Sequence, residues 1–421
     1  MNLSLRLLKN RLFLIIIIIL DISLYTSLVS FIYLNNNIEM LSHIDIIFWV
    51  LLSYFSGRYH LKTLNHINLI KYIFKSLFIY LIILLVNNIC DIDNILINLF
   101  GFLSISINMI FIILNYKYYF RDNKWITNDT RLINIYNSSR LIFKNNFIHF
   151  YNKDTSYKFH DYKGFIINQN LKNSEKFESI LQENKNLKIY TSLEWCEYFL
   201  EALPLELIED IQFYKRLEIC SSKNFYSYYK RIFESVVSLL IFIICVPIII
   251  FFSILIYLQD GLPLFYSQIR TGINKNKIKI FKIRSMKKNS ENNGPQWSSN
   301  NDPRITFIGK LIRKNRIDEL PQLLSVIKGD LCLIGPRPER PEIDRTLEQE
   351  IVSYSKRYMI KPGITGWAQV NYPYGASIQD SKIKQSFDIY YVKNVSFILD
   401  LIIFFKTIRL VLNGKGAKPF K

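Results

Sequence analysis

Residues 230–258 read KRIFESVVSLLIFIICVPIIIFFSILIYL. This apolar run exceeds the roughly 20 helical residues that a bilayer crossing takes. Its flanks restrict what it can do. Lys230 and Arg231 stand at one end and Arg270 follows the other, so both sides carry the charge that holds a segment in the cytoplasm. Pro247, near the middle, removes one helix hydrogen bond and bends the axis. A helix that enters the bilayer, breaks at Pro247 and returns to the same face meets these conditions. A plain fifth crossing is the alternative, since proline is tolerated in ordinary membrane helices.

Four further apolar runs precede it, at about residues 12–33, 44–57, 70–90 and 95–115. The first and third are long enough to span; the second is short and contains Asp45. No small-residue cleavage site follows the first, so it reads as a retained helix rather than a signal peptide. Basic residues lie at the N-terminus (Arg6, Lys9, Arg11), in the second loop (Arg58, Lys62, Lys71) and after the fourth run (Lys117, Arg121, Lys124), while loops 34–43 and 87–94 have none. That alternation predicts a four-helix unit with both ends inside. Asp91-Ile92-Asp93, a D-x-D string of the kind that holds metal in glycosyltransferases, then falls in an outward loop, where a solvated turn is the simpler reading.

The formal charge is +19, and residues 221–421 hold 31 Lys/Arg against 15 Asp/Glu. Such a basic half suits nucleic acid, an anionic membrane surface or a polyphosphate substrate. Neighbouring membrane segments favour the last two. The aromatic residues sit in apolar runs rather than among the basic cluster, which argues against nucleic acid. Five scattered cysteines (Cys90, Cys196, Cys220, Cys245, Cys332) show no paired spacing for disulfides or zinc. Neither a dinucleotide glycine fingerprint nor a P-loop is present.

Between the membrane runs and the basic half, residues 125–215 read as a small Rossmann-like α/β domain. RLINIYN, GFIIN and LKIYT are its expected strands, with helices after Asn173 and from Leu193 to Ala202. Gly164 is its one glycine, so a phosphate loop is not expected there. Near the C-terminus, FDIYYVKNVSFILDLIIFFKTIRLVL reads either as an amphipathic helix at headgroup level or as a core helix. The expected fold is thus mixed: transmembrane helices over 1–120, an α/β domain over 121–220, and an α/β catalytic domain over 221–421 with its re-entrant helix at 230–258.

No histidine occurs after His160, so the basic half cannot assemble a Ser/His/Asp triad, a Cys–His pair or a histidine metal site. A carboxylate must do any chemistry there. The adjacent pair Asp318–Glu319, in RIDELPQLL, lies among Arg313, Lys314, Arg316, Lys328 and Arg337. FKIRSM contributes Lys282 and Arg284, two apart along a strand. NDPRIT contributes Arg304, and IGPRPER contributes Arg337, Glu339 and Arg340 on a proline-stiffened turn. PGITGWAQV follows, its glycines suited to a tight turn. The plain alternative for Asp318–Glu319 is an acidic helix start.

These segments, above all the run from DPRIT through GPRPE, resemble the bacterial sugar transferase family, the monotopic polyprenyl-phosphate phosphoglycosyl transferases. The resemblance covers about residues 225–421. Four preceding spans and a soluble α/β domain are similar to the long members that begin exopolysaccharide or O-antigen units. The family often has Ser-Pro at the membrane break, where this chain has Val246-Pro247.

The resemblance implies an enzyme of the bacterial inner membrane, its catalytic part facing the cytoplasm, with UDP-sugar and undecaprenyl phosphate as substrates. Asp318 would be the nucleophile and Glu319 a magnesium ligand. Arg337, with Lys282, Arg284, Arg304, Arg313 and Arg340, would clamp phosphates. The sugar is not legible, and the oligomeric state, a homo-oligomer included, stays open. Two other readings stand beside this one: a metal-dependent glycosyltransferase, which lacks a cytoplasmic D-x-D, and a non-catalytic membrane platform.

Overall fold

The computed structural model describes residues 11–35, 43–59, 66–89, 95–119, 123–138, 146–150, 162–168, 188–208, 213, 217, 225–288, 290, 302–372, 375 and 377–414. The chain separates into two compact units, Met1–Asn123 and Lys124–Lys421. The D-x-D string, and the helix expected after Asn173, lie largely or wholly outside the described residues.

The first unit is helical: α1 (Leu12–Asn35), α2 (His43–Ser56), α3 (His66–Ile89) and α4 (Ile95–Tyr119). Tyr25, Trp49, Ile79, Ile83 and Phe100 form one core cluster; Ile17, Tyr59, Tyr72 and Ile112 form a second. Among the described residues of these helices, only α3, over Ile70–Asn87, is long and apolar enough to cross a membrane; the others offer shorter apolar stretches. Arg58 lies in the turn after α2, as expected, but its side chain turns inward and not to the loop surface. It is fully buried, 2.8 Å from Asp21, and also donates to Ser76, Tyr72 and Ser104. Asp21 in turn accepts from Trp49, Tyr59, Ser104 and Asn108. A charge this enclosed is tolerated only because its lone pairs and protons all find partners, so Arg58 serves packing and not loop charge.

The second unit starts with a four-stranded sheet in the order β2-β1-β3-β4, comprising β1 (Asn123–Thr127), β2 (Asn146–Phe150), β3 (Gly164–Ile167) and β4 (Lys188–Thr191). The pairs β1–β3 and β3–β4 are parallel. GFII and KIYT are strands as read from the sequence, but RLINIYN is not. Thr130–Ser138 is a helix, α5, started by Asp129, whose carboxylate accepts from the Arg131 amide at 3.0 Å. The apolar alternation of RLINIYN suggested a strand; the Asn-Asp-Thr cap before it decides for helix. The preceding NKWIT takes the strand position and buries Trp125 and Ile126.

The longest helix, α6, runs unbroken over Phe225–Asp260 with Pro247 inside it. Its 36 residues extend ~54 Å if straight. The expected break in helical structure at Pro247 is not seen. A proline costs its own N–H bond, yet the flanking apolar residues keep helical geometry because that satisfies their remaining backbone groups. Tyr228–Asp260 is the second segment long and apolar enough to cross a membrane. Phe242, Ile249, Phe252 and Ile256 pack on Ile283 and Ile312, while Ile243, Ile244, Ile250, Ile254 and Leu258 stay exposed.

Both ends of α6 grip the same C-terminal body. Near its start, Lys230 donates to the Ile334 carbonyl at 2.9 Å and to Asp400 at 2.7 Å, and Glu234 accepts from the Leu333 and Ile334 amides, each at 3.0 Å. At its end, Asp260 pairs with Arg284 at 3.3 Å, and Gln259 accepts from the Ile308 amide.

The rest of the unit comprises the antiparallel hairpin β5 (Phe265–Thr271) and β6 (Lys277–Ile283), helix α7 (Phe307–Lys314), a 3-10 turn Ile317–Gln322 leading into α8 (Leu323–Lys328), β7 (Cys332–Ile334), α9 (Pro341–Glu350), β8 (Gly363–Thr365), α10 (Ile378–Lys393) and α11 (Phe397–Leu412). β7 and β8 are parallel partners. A Cβ on Gly363 would lie 2.1 Å from the Gly335 amide nitrogen, and one on Gly366 2.2 Å from the Gly335 carbonyl oxygen. These glycines therefore serve close backbone approach and not the tight turn read from the sequence. α10 buries Phe387, Ile389, Tyr390, Tyr391 and Val392, making the first half of the apolar C-terminal stretch a core helix.

Candidate active site

The 3-10 turn that carries the acidic pair follows Arg316, whose backbone is left-handed (φ 54°). Only a few per cent of non-glycine residues adopt this region. The turn directs Asp318 and Glu319 into the body, where each is 7 % exposed.

The two carboxylates differ sharply in their surroundings. Glu319 Oε1 accepts from Arg337 Nη2 at 2.5 Å and Lys282 Nζ at 3.3 Å. Its Oε2 accepts from Arg316 Nη1 at 3.1 Å and Arg337 Nη1 at 3.4 Å. Four donors meet the roughly four lone-pair sites of a carboxylate. Burial alone would raise the Glu319 pKa, but Arg337, Lys282 and Arg316 outweigh it and hold the group well below its ordinary range. The Asp318 carboxylate makes no hydrogen bond or ion pair with any described residue. Burial first, and the Glu319 charge next, push its pKa up to about 6 against Lys282, Arg313 and Arg316. One acid is saturated and ionised; its neighbour is uncommitted.

β6 places Lys282 here through its pairing with Tyr266. Burial pulls the Lys282 pKa down to about 8, opposed by Glu319. Arg337 arrives from β7 through Gly335-Pro336. Arg313, in the last turn of α7, acts on Asp318 through space. Of the residues expected from the sequence, then, Asp318, Glu319, Lys282, Arg313 and Arg337 converge.

Arg284, Arg304 and Arg340 do not touch the pair. Arg284 ties down the end of α6 through Asp260 and the Gly261 carbonyl (2.6 Å). Arg304 binds Asp302 through its amide, Nε and Nη2, at 3.0, 2.9 and 2.6 Å. These hydrogen bonds lower the Asp302 pKa to about 2. Arg340 lies 3.7 Å from Glu342, ahead of α9. Two arginines that the sequence reading left out of the site belong near it. Arg316 is a direct ligand of Glu319, and Arg270 on β5 contacts Glu339 (3.4 Å) and the Pro338 carbonyl (3.2 Å). The signal for Arg316 was its spacing three residues before Glu319, one 3-10 turn.

An α/β body fastened to both ends of a long apolar helix, with a buried carboxylate pair ringed by cations, suits a membrane protein and an anionic partner. The comparisons make the class specific. The family model described as "Bacterial sugar transferase" matches residues 225–414. The chain is 42 % identical over 193 residues to the UDP-N-acetylgalactosamine-undecaprenyl-phosphate N-acetylgalactosaminephosphotransferase of Aeromonas hydrophila, covering 46 % of each chain. It is 39 % identical over 190 residues to an uncharacterized sugar transferase of Bacillus subtilis, covering 45 % of this chain and 90 % of that one. With the UDP-glucose:undecaprenyl-phosphate glucose-1-phosphate transferase of Escherichia coli it shares 33 % over 190 residues, 45 % of this chain and 41 % of that one. The chain belongs to the bacterial sugar transferase family. The match spans about half the length, or less, of the Aeromonas and E. coli relatives.

Proposed function

We propose that this chain transfers a sugar-1-phosphate from a UDP-sugar to undecaprenyl phosphate, releasing UMP, as the first membrane step of exopolysaccharide or O-antigen synthesis. The observation that carries this reading is the uncommitted Asp318 carboxylate beside a Glu319 that fixes three cations. An Asp318 oxygen attacks the phosphorus that bears the sugar. The bond from that phosphorus to the bridging oxygen breaks, and UMP leaves with the electron pair. The terminal phosphate of undecaprenyl phosphate then attacks the same phosphorus in the sugar-phosphoryl-aspartate. That step frees the Asp318 carboxylate and yields the undecaprenyl-diphospho-sugar.

Arg337, Lys282 and Arg316, held by Glu319, form the cationic floor for the diphosphate, and Arg313 faces the nucleophile. Guanidinium forks suit this task because each can meet two phosphate oxygens. Fixed charges in a buried site stabilise the extra charge of the transition state without having to reorganise.

Magnesium, expected on Glu319, does not fit that residue as it stands, because all its lone-pair sites face cations. No described group of three or more His, Cys, Asp or Glu side chains could hold a metal either.

For the membrane arrangement, we place α1–α4 as four spans of the cytoplasmic membrane, with residues 121–220 as an α/β domain and 221–421 as the catalytic domain, both inside. Docking of both α6 ends on one body supports a continuous helix, bent at Pro247, that dips into the bilayer and returns, with its exposed Ile243, Ile244 and Leu258 toward lipid. The test of the activity is UMP release by the purified protein across a panel of UDP-sugars with undecaprenyl phosphate. Release with at least one sugar is expected. A protein that binds these substrates yet releases no UMP with any would favour a non-catalytic platform.

A further inference from the structure

The segment Gly335-Pro336-Arg337-Pro338-Glu339 delivers the guanidinium that grips Glu319. Its two prolines remove amide donors, so its own hydrogen-bonding capacity lies mainly in its carbonyls. Three consecutive carbonyls are each taken by the surrounding body. The Arg337 carbonyl accepts from Arg357 Nη2 at 2.8 Å, the Pro338 carbonyl from Arg270 Nη1 at 3.2 Å, and the Glu339 carbonyl from the Thr271 amide at 2.9 Å. The first of these bonds is made by the residue whose side chain approaches the site.

Arg357 is itself tightly held. It lies on the 3-10 turn Tyr354–Met359 and is 6 % exposed. Its Nη1 donates to the Tyr354 hydroxyl, and its guanidinium lies over the rings of Tyr354 (5.1 Å) and Tyr358 (5.4 Å). Asp388 on α10 stands 2.8 Å from Nη2, with both side chains buried. This is a close ion pair whose N–H directions are poorly aligned with the carboxylate oxygens, since neither Asp388 oxygen has a well-directed hydrogen bond. Tyr358 continues the frame by donating to Asp344 at 2.7 Å, and Asp344 also accepts from Thr271. Gln385, also on α10, donates to the Ser353 carbonyl at 3.1 Å, just before the turn. The turn is thus pinned from several sides, and the guanidinium offers substrate no route to its committed Nη1 and Nη2 groups.

We propose that Arg357, paired with Asp388, is a positioning residue for the transfer reaction: it fixes the Arg337 backbone so that the Arg337 side chain meets Glu319 and the diphosphate together. The role rests on the transferase reading above. A guanidinium is required, because it must reach the Arg337 carbonyl, the Tyr354 hydroxyl and Asp388 from one planar group. Lysine offers a point charge that can keep Asp388 company but cannot span all three.

The test is a double-mutant cycle on the full chain in nanodiscs, combining Arg357→Lys with Arg337→Ala. Two quantities are read for each protein: kcat/KM for UMP release, and UDP affinity by calorimetry. Arg357→Lys alone should lower kcat/KM about tenfold, and UDP affinity in the same direction. In the Arg337→Ala background the same change should cost less than about twofold in either readout, because the residue it positions is gone. Asp388→Asn, which keeps shape, should show a smaller loss that likewise vanishes without Arg337. Thermal melting of each variant separates this from a general weakening of the fold, which would lower both backgrounds equally. Equal fold losses with and without Arg337, or UDP affinity untouched by Arg357→Lys, would overturn the positioning role. A wild-type protein that neither releases UMP nor binds UDP would instead overturn the transferase reading, and this role with it.

Discussion

Arg337 grips Glu319 through both terminal nitrogens, Nη2 at 2.5 Å from one oxygen and Nη1 at 3.4 Å from the other. Glu319 therefore organises cations, and in the proposed transfer its part is the placement of Arg337, Lys282 and Arg316.

Arg337→Lys should break this arrangement while keeping the charge. A lysine cannot bridge both Glu319 oxygens and a phosphate. The expected result is a loss of about 100-fold in kcat/KM for UMP release, comparable with removal of one strong transition-state donor. Steady-state kinetics with saturating lipid acceptor would show it; a loss of less than threefold would mean that the fork is dispensable.

The pH dependence follows from the same pair. In the proposed reaction the Asp318 carboxyl, raised to about 6, must be ionised to attack, so turnover should rise through about pH 6 and fall again as Lys282, lowered to about 8, loses its proton. The acidic limb reports the pair as a unit. Glu319→Gln removes the neighbouring negative charge that raises Asp318, so the limb should move to lower pH even as the rate falls. A limb that moves up, or stays fixed, would contradict the assigned coupling.

Much of the site could be read directly from the chain, for a chemical reason. With no histidine after position 160, only a carboxylate could carry the reaction, which singled out Asp318–Glu319 and the cations nearby. Arg337 was recognisable because prolines flank it. Arg284 and Arg304 misled because a basic residue beside a site looks the same in sequence whether it meets substrate or a local acid such as Asp260 or Asp302. Arg357 was illegible for the opposite reason: its partners, the Arg337 carbonyl and Asp388, lie 20 and 31 residues away. The burial of Arg58 could not be read either, since a cation near the end of an apolar run normally marks a loop. The strand misassigned at 131–137 shows a cap outweighing periodicity.

The catalytic half should function alone but not as stably as the longer unit. Every cation around the pair, Arg270 included, lies after residue 225, and the B. subtilis relative of similar extent is 90 % covered by the match. Residues before 225 nevertheless pack on this half: Trp367 Nε1 donates to the Glu201 carbonyl at 2.9 Å, the Leu203 amide to the Ser386 carbonyl at 2.8 Å, and Lys393 to Glu197 at 2.7 Å. A fragment of residues 225–421 in nanodiscs should release UMP, and starting it at residue 188 should raise its melting temperature, by ~2–4 °C for each kcal/mol recovered. Equal melting temperatures would mean these contacts contribute nothing.

The α6 arrangement predicts a topology. Cysteines introduced after Gly261 and near Lys421 should both be protected from an impermeant reagent in intact cells and labelled in inverted vesicles. Pro247→Leu restores a continuous hydrogen-bond ladder and should shift part of the population to a spanning form with lower activity. Labelling of either wild-type site from outside would rule out the dipping helix.

Asp318 as the covalent nucleophile is tested most directly by intact-protein mass spectrometry with UDP-sugar and no lipid acceptor. The wild-type chain should gain the mass of one sugar-phosphoryl group, mapped to Asp318, with UMP released in the same amount. Asp318→Asn should show neither, while Glu319→Gln should still form the adduct slowly, about 100- to 1,000-fold below wild type and without rescue by added magnesium. An adduct mapped to Glu319, or turnover by Asp318→Asn near the wild-type rate, would contradict the assignment.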